Sequence, residues 1–262
     1  MSRALKYLSM KLYGFFHPFV AAIPYFLEYR KFCKSAEEQN DERFELSLKN
    51  AYPCLNDKTS DTPFDYHYVY HTGWAARILR KIDPKEHIDI SSSLYFVSIA
   101  SAFVKTKFYD YRPADLILSN LDSGAADIMS LPFEDDSLES ISCLHVMEHI
   151  GLGRYGDPIN ASADLKAISE LKRVVKPGGS LIFATPIGGK ARVMYNAHRI
   201  YTYDLLEKLF DGFEIVEFAL VSDHPKAYRF LETAAKEDAD ACNYGCGCFW
   251  FRKKSLAREE KA

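Results

Sequence analysis

Residues 171–187, LKRVVKPGGSLIFATPI, hold the end of a predicted helix, a tight turn and a predicted strand. The helix spans 162–175, where four apolar residues recur at the spacing of one helical face: Leu165, Ile168, Leu171 and Val175. The turn at 176–179, KPGG, stops this helix, because proline cannot continue a helix and glycine permits a sharp turn. The apolar run that follows, 179–187, predicts a strand.

The same alternation of helix and strand is predicted from about Tyr68 onward. One helix begins there and ends at Asp83-Pro84, and residues 93–104, which are apolar on all sides, predict a buried helix. Thr202 is placed to cap a further helix. Six more strands are predicted, at 87–91, 105–111, 126–131, 139–146, 213–223 and 246–254. The pattern predicts an α/β fold with a seven-stranded, mainly parallel sheet and helices on both faces.

Length and charge limit the possible functions. The chain has 262 residues and a net charge of −3, which suits one α/β domain with an N-terminal extension. Binding of nucleic acid regardless of sequence needs a clustered Lys and Arg surface, so nucleic acid is not an expected partner. Six cysteines without a secretory leader predict reduced thiols and a cytoplasmic location.

Residues 1–66 are predicted to form a helical and loop extension before a main domain at 67–262. The apolar run 12–27, LYGFFHPFVAAIPYFL, is shorter than the ~20 residues of a membrane span. Basic residues on both sides of it would suit peripheral attachment at the inner face of a membrane. Packing of this segment against the main domain is the alternative. Residues 29–66 are charged and predict a loop-rich connector.

Two motifs resemble those of class I S-adenosylmethionine-dependent methyltransferases. Residues 127–141, DIMSLPFEDDSLESI, are similar to that family's D-x-x-x-L-P-F-x-D-x-S-F-D pattern, and 171–181, LKRVVKPGGSL, to its L-x-R-V-L-K-P-G-G pattern. The resemblance covers residues 68–254 and implies a Rossmann-like fold, S-adenosylmethionine as cofactor and methyl transfer as activity. Shorter segments look like an uncharacterised methyltransferase-like family of bacterial surface-polysaccharide gene sets: 87–97, 108–113, 148–158, 196–201 and 246–251.

The resemblance also implies a cofactor site at the carboxyl ends of the strands. The residues that match it are Asp89, Ser91 and Ser93 near the methionine moiety, Asp110 at the ribose, Asp127 and Ile128 at adenine, and His145 beside the methyl group. Carboxylates suit these places because they accept hydrogen bonds from a ribose diol and an amine. Ser91 departs from the family, which usually has glycine there to allow positive φ and close backbone approach.

Residues 145–149, HVMEH, match the zinc-peptidase pattern H-x-x-E-H. That pattern must lie on a helix, whereas strand-like residues precede it here and glycines follow it, so a strand end is predicted. The motif also resembles E-x-x-E-H, the divalent-metal site of ubiquinone-pathway O-methyltransferases and small-RNA 2′-O-methyltransferases. That resemblance implies a metal held by His145, Glu148, His149 and His198. Alternatively, His149 is a general base without metal, or Glu148 and His149 only hold the loop.

Further candidates lie after the fourth and fifth strands. Predicted substrate-binding residues are Arg154, Tyr155, Asp157, Asn196 and Arg199, which would hold phosphate or sugar groups. The cysteines at 242, 246 and 248 lack a nearby fourth ligand, so a bulged strand is favoured over a metal site.

Taken together, the patterns predict an O-methyltransferase with Glu148, His149 and His198 as catalytic residues. Its expected acceptor is a sugar hydroxyl on a surface glycan or a nucleotide-sugar precursor, in keeping with the narrower resemblance. The alternative is a non-catalytic, methyltransferase-like subunit that scaffolds a glycan-assembly complex, which Ser91 and the aromatic N-terminus would suit.

Overall fold

The computed structural model describes residues 22–224 and 229–255. They fall into two compact units that divide between Pro63 and Phe64. In the first unit, helix α1 is described over residues 22–38, and a short 3-10 helix follows at Leu48–Asn50. The predicted connector was therefore wrong in its first part, which continues α1. Most of the apolar run 12–27 lies outside the described residues. Within the described ranges, no helix combines the length and the apolar character needed to cross a membrane.

The second unit alternates strands and helices. Its helices are α2 (Tyr66–Ile82), α3 (Leu94–Ala100), α4 (Ala163–Val174), α5 (Tyr203–Leu209) and α6 (Lys236–Asp240). Its strands are β1 (Glu86–Ile90), β2 (Lys105–Asp110), β3 (Leu121–Ala125), β4 (Leu138–Leu144), β5 (Val175–Ile187), β6 (Arg192–Met194), β7 (His198–Ile200), β8 (Phe213–Val221), β9 (Phe230–Leu231) and β10 (Gly245–Lys253).

The main sheet has eight strands in the order β3-β2-β1-β4-β5-β10-β8-β9. Strands β3, β2, β1, β4 and β5 pair in parallel, and β10 inserts antiparallel between β5 and β8. The predicted α/β class and the mainly parallel sheet are confirmed. The eighth strand is the two-residue β9 at one edge, and β6 and β7 form a separate hairpin. The strand order reverses at β1 and β4, where ligands bind in open α/β sheets.

Helices cover both faces of this sheet. On one face, Trp74 and Ile78 of α2 pack with Phe96 of α3 into a buried cluster. On the other face, Ile168 and Leu171 of α4 lie in a buried cluster with the aromatic rings of Phe183 in β5 and Phe251 in β10. Thr202 caps α5 as predicted, because its hydroxyl accepts a hydrogen bond from the Leu205 amide at 3.3 Å.

Two further predictions of local structure were wrong. Residues 126–131 are not a strand: β3 ends at Ala125, and the Asp127 carboxylate accepts a hydrogen bond from the Met129 amide at 2.8 Å, which bends the chain into a turn. Helix α3 is not buried on all sides, since Tyr95 and Ile99 are exposed. An apolar sequence does not distinguish a fully buried helix from one with an apolar solvent face.

Candidate functional site

A cleft of about 370 Å³ opens at the carboxyl ends of β1, β2 and β4. The loop after β1 contributes Ser91, Ser92 and Ser93, β2 ends with Asp110, and the turn after β3 contributes Asp127 and Ile128. Parallel strands bring these loops to one edge of the sheet because they all run in the same direction. The structure thus places most of the predicted cofactor residues, including His145, around one cleft whose volume suits a small-molecule ligand.

Asp89 is the exception among the predicted cofactor residues. It is fully buried behind the cleft wall rather than in it. Its carboxylate accepts hydrogen bonds from the Ser142 hydroxyl and, at 3.1 Å, from the Ser92 amide. Burial raises the pKa of Asp89 to about 7, although these hydrogen bonds oppose the shift. Asp89 therefore holds the loop after β1 in place.

Ser91 adopts the left-handed backbone conformation that is expected at this position, because the resembling methyltransferases usually have glycine there. Its φ is +57°, and its amide donates to the Tyr109 carbonyl at 2.8 Å. An L-residue in this conformation costs roughly 1–2 kcal/mol relative to the right-handed helical region. The serine is thus accommodated at some cost in strain, and its side chain remains part of the cleft wall.

Two carboxylates in the cleft shape their own loops. Asp110 Oδ1 accepts from the Arg112 amide at 2.7 Å, and Asp127 Oδ1 accepts from the Met129 amide at 2.8 Å. In each case the other carboxylate oxygen has no hydrogen-bond partner among the described residues. A second oxygen without a protein hydrogen bond can accept from a ligand hydroxyl or amine.

The HVMEH motif lies at a strand end, as predicted, and not on a long helix. His145 follows β4 with φ +58°, and Met147–His149 form a single 3-10 turn. The zinc-peptidase geometry, which needs both histidines on successive turns of an α-helix, is therefore absent from this segment.

His145 and Glu148 form a buried pair at the base of this turn. His145 Nδ1 lies 2.6 Å from Glu148 Oε1, and both side chains are almost fully enclosed. Burial alone would lower the pKa of His145, but Cys246 and the Glu148 carboxylate raise it above its ordinary value. Burial alone would raise the pKa of Glu148, but the adjacent His145 outweighs this effect and lowers the pKa. Each partner thus stabilises the charged form of the other.

His149 presents a neutral imidazole with a defined tautomer. Its Nδ1 donates to the Ala197 carbonyl at 2.7 Å, so Nε2 carries the lone pair. Nε2 lies 3.7 Å from Glu148 Oε1. Burial lowers the pKa of His149 below its ordinary value, although Glu148 opposes this shift. At neutral pH this geometry is that of a general base with a carboxylate beside it.

A second, larger pocket of about 570 Å³ adjoins the cleft. Its lining combines imidazoles, phenol rings and two guanidinium groups: His67, His145, His149, His198, Tyr68, Tyr155, Tyr244, Arg154 and Arg229. We call it the histidine pocket. Four side chains line both the cleft and this pocket: Tyr68, His145, His149 and Tyr155. A ligand in the cleft would therefore lie next to a ligand in the histidine pocket.

The predicted metal set does not form a cluster. In the described part of the chain, one group of three or more potential ligands has all its ligand atoms within 4.8 Å of one another, and it consists of His67, His145 and Cys246. Of the predicted four residues, only His145 belongs to it. Glu148, His149 and His198 belong to no such group among the described residues: Glu148 is engaged by His145, and the His198 ring stacks on Tyr244.

Of the predicted substrate-binding residues, only Arg154 and Tyr155 line the histidine pocket. Asp157 faces the cleft and shapes its loop, with Oδ2 accepting from the Gly151 amide at 2.8 Å. Arg199 lines neither pocket: it is buried and donates to the Ile150 carbonyl at 2.6 Å, which fixes the loop after the 3-10 turn. Asn196 is exposed and lies outside both linings.

Several lining residues were not predicted as functional. Tyr68 comes from the first turn of α2, Tyr244 immediately precedes β10, and Arg229 lies in the segment before β9. The available signal was the position of polar and aromatic residues at the ends of buried elements. That signal is weak, because the sheet topology alone decides which ends meet.

Comparison with known proteins finds distant sequence relatives. Residues 126–244 match a family described as "Caenorhabditis protein of unknown function, DUF268". An uncharacterised protein of Methanocaldococcus jannaschii is 30% identical over 96 residues, which is 35% of this chain and 37% of that protein. The match thus spans little more than a third of that relative's length. The described function of the matched family is unknown, so the expected link to surface polysaccharides stays a prediction.

Solved structures identify the fold. The N-methyltransferase NodS from Bradyrhizobium japonicum superposes with a TM-score of 0.51 at 14% identity, covering 72% of this chain and 97% of NodS. A 1,6-didemethyltoxoflavin-N1-methyltransferase from Burkholderia thailandensis, solved with S-adenosylhomocysteine, gives 0.50 at 12% identity, covering 72% and 81%. A putative sarcosine dimethylglycine methyltransferase from Galdieria sulphuraria gives 0.50 at 13% identity, covering 71% and 86%. The second unit therefore has the Rossmann-like class I methyltransferase fold.

Proposed function

We propose that this protein is an S-adenosylmethionine-dependent methyltransferase that methylates an oxygen of an acceptor held in the histidine pocket. The observation that carries this proposal is the shared wall: Tyr68, His145, His149 and Tyr155 border both the cleft and the pocket. A cofactor in the cleft and an acceptor in the pocket would be neighbours. Positioning of this kind contributes about 7–11 kcal/mol to a transfer reaction.

The donor set in the cleft fits this cofactor. Asp110 and Asp127 each keep one carboxylate oxygen that can accept from a ribose hydroxyl or an adenine amine. The loop at Ser91–Ser93 passes along the same cleft. When bound, S-adenosylmethionine supplies an electrophilic methyl group on its sulfonium sulfur. The chain itself supplies the walls that orient this group toward the histidine pocket.

His149 is the proposed general base. Its Nε2 lone pair is available because Nδ1 donates to Ala197. With S-adenosylmethionine in the cleft, the acceptor oxygen would take the methyl group from sulfur, and its hydroxyl proton would pass to His149 Nε2. The Glu148 carboxylate, 3.7 Å away, stabilises the imidazolium that forms.

The chemistry of the pocket supports a sugar hydroxyl as the acceptor. Phenol rings of Tyr68, Tyr155 and Tyr244 offer flat apolar surfaces with polar ends, while Arg154 and Arg229 suit phosphate or carboxylate groups. A nucleotide sugar or an acidic glycan carries both kinds of group. Four imidazoles and the three carboxylates of Asp65, Glu148 and Asp223 add hydrogen-bonding capacity for hydroxyls.

Binding of S-adenosylhomocysteine tests the cofactor site. We expect micromolar or tighter binding by calorimetric titration. Asp110→Ala should weaken it by about 10- to 100-fold, the usual effect of losing a hydrogen bond to a charged group. Asp115→Ala is the control, because Asp115 is exposed and lies outside the cleft lining. No heat and no thermal shift at millimolar ligand would refute the proposal. That result would favour a non-catalytic scaffold, and the main argument for a scaffold is the backbone strain at Ser91.

Ser91→Gly should improve the cofactor site. Removing the side chain relieves the left-handed strain of roughly 1–2 kcal/mol, which exceeds the entropy cost of glycine of about 0.5–1 kcal/mol. We expect the free energy of unfolding to rise slightly and S-adenosylhomocysteine to bind several-fold more tightly. Ser93→Gly is the matched control: Ser93 has φ −59°, so glycine relieves nothing there. If urea denaturation shows equal destabilisation by both changes, the strain at Ser91 is not significant.

A further inference from the structure

Three side chains from distant parts of the sequence meet at the wall of the histidine pocket. His67 lies in the first turn of α2, His145 follows β4, and Cys246 lies in β10. Their ligand atoms are all within 4.8 Å of one another. In a tetrahedral zinc site, with Zn–N and Zn–S bonds of about 2.1 and 2.3 Å, neighbouring donor atoms are about 3.3–3.8 Å apart. Small side-chain rotations would bring the three to those separations.

The second observation is an unpartnered nitrogen. His145 is 8% exposed, and its Nε2 is buried without a hydrogen-bond partner among the described residues. Native proteins leave few such groups unsatisfied, because an unpaired buried polar atom loses its hydrogen bonds to water without gaining others. A bound cation that accepts the Nε2 lone pair would remove this cost.

The third observation is the carboxylate behind His145. Glu148 Oε1 lies 2.6 Å from Nδ1, so a proton stays on Nδ1 when a metal ion replaces the proton on Nε2. Metal-binding histidines almost always have such a partner on their other nitrogen, where it fixes the tautomer and strengthens the ligand. Thr185 Oγ1, 3.4 Å from Glu148 Oε2, holds the carboxylate in turn.

We propose that His67, His145 and Cys246 bind a zinc ion whose fourth position faces the histidine pocket. Two imidazoles and a thiolate suit Zn²⁺ among the common divalent cations. Three protein ligands with one open position are the pattern of catalytic rather than structural zinc. The opening is toward the pocket because His67 and His145 line it, whereas Cys246 is fully buried.

This site would also define the acceptor. An acceptor hydroxyl on the fourth position would be oriented and acidified by the ion, as zinc acidifies its bound water. Its proton would then pass more readily to His149. This catalytic use rests on the proposed methyl transfer, whereas binding of the ion does not. The two are separable because neither His67 nor Cys246 lines the cofactor cleft.

The test is metal titration of the full chain after removal of bound metal with a chelator. We expect stoichiometric Zn²⁺ binding that releases protons, including that of the Cys246 thiol.

Substitution by Co²⁺ should give the absorption bands of a tetrahedral site and a thiolate-to-cobalt charge-transfer band. Cys246→Ser should abolish the charge-transfer band, and His67→Gln should weaken binding strongly. Glu148→Gln should weaken it by about 10- to 100-fold, the usual effect of changing the partner of a metal-bound histidine.

Matched controls separate this site from its neighbours. Cys248→Ser changes an equally buried cysteine two positions further along β10 and should keep the charge-transfer band. His198→Ala tests the set of ligands that the sequence predicts and should leave metal affinity unchanged. All variants should titrate with S-adenosylhomocysteine like the parent, which also shows that they are folded. Absence of stoichiometric metal, or identical cobalt spectra for the parent and Cys246→Ser, would overturn the proposal.

Discussion

Replacing Glu148 with alanine should lower the free energy of unfolding by about 3–5 kcal/mol, the usual effect of breaking a buried ion pair by removing one partner. Glu148 is fully buried, and its Oε1 lies 2.6 Å from His145 Nδ1. The alanine leaves His145 without its counter-charge in an enclosed site. Urea denaturation at pH 7 in the presence of a chelator measures the loss without a contribution from bound metal.

Two controls show whether the charge or the volume of Glu148 matters. Glu148→Gln keeps the shape and one acceptor oxygen, so it should cost less than the alanine. Glu139→Ala removes an exposed carboxylate whose distance to Lys176 Nζ is 3.7 Å, and it should cost under about 1 kcal/mol. Equal losses for the alanine and glutamine variants would mean that the charge adds little. A loss no larger than that of Glu139→Ala would refute the buried pair.

The sheet and its ligand edge were predictable because the signals for them are local. The apolar strands, the capping residue Thr202 and the end of α4 before Lys176 are each decided within a few residues, although residues 176–179 begin strand β5 instead of forming the predicted turn. Their alternation predicts a parallel sheet, and the carboxyl ends of parallel strands share one edge. The cofactor cleft follows from this arrangement without any knowledge of side-chain contacts. The same reasoning correctly placed the HVMEH motif at a strand end.

Sequence patterns were misleading where a side chain forms hydrogen bonds with backbone groups. The segment 126–131 has the composition of a strand, but the Asp127 carboxylate satisfies the Met129 amide and closes a turn instead. Arg199 has the charge of a substrate ligand, but two backbone carbonyls, those of Ile150 and Ala161, capture its guanidinium. A sequence pattern does not reveal which of these local bonds forms.

The cluster of His67, His145 and Cys246 was beyond sequence reasoning for a different reason. These residues belong to α2, the end of β4 and β10, and β10 reaches the site only because it inserts between β5 and β8. Spacing rules detect ligands that lie close together along the chain, such as the cysteines of a zinc finger. Here the nearest cysteines in sequence, Cys242 and Cys248, are not part of the cluster.

His149→Ala should reduce the rate of methyl transfer by about 10²- to 10⁴-fold, the contribution expected of a general base. The measurement is the rate with saturating S-adenosylmethionine and the best acceptor from a panel of nucleotide sugars and acidic glycans. The loss should fall on kcat, because proton removal accompanies the chemical step. Binding of S-adenosylhomocysteine should change little, since His149 contributes only one part of the cleft wall.

The pH profile distinguishes a base from a residue that only shapes the pocket. The reactive form of His149 is neutral, so the rate should rise with pH through its pKa and then level off. Burial lowers that pKa, so the rise should lie below the ordinary histidine value of about 6.5. His149→Ala should lose this rise. His198→Ala is the matched control, because His198 lines the same pocket and should keep the rise. If His149→Ala keeps both the parent's rate and the parent's pH profile, a different group removes the proton and His149 serves only to hold the loop through Ala197.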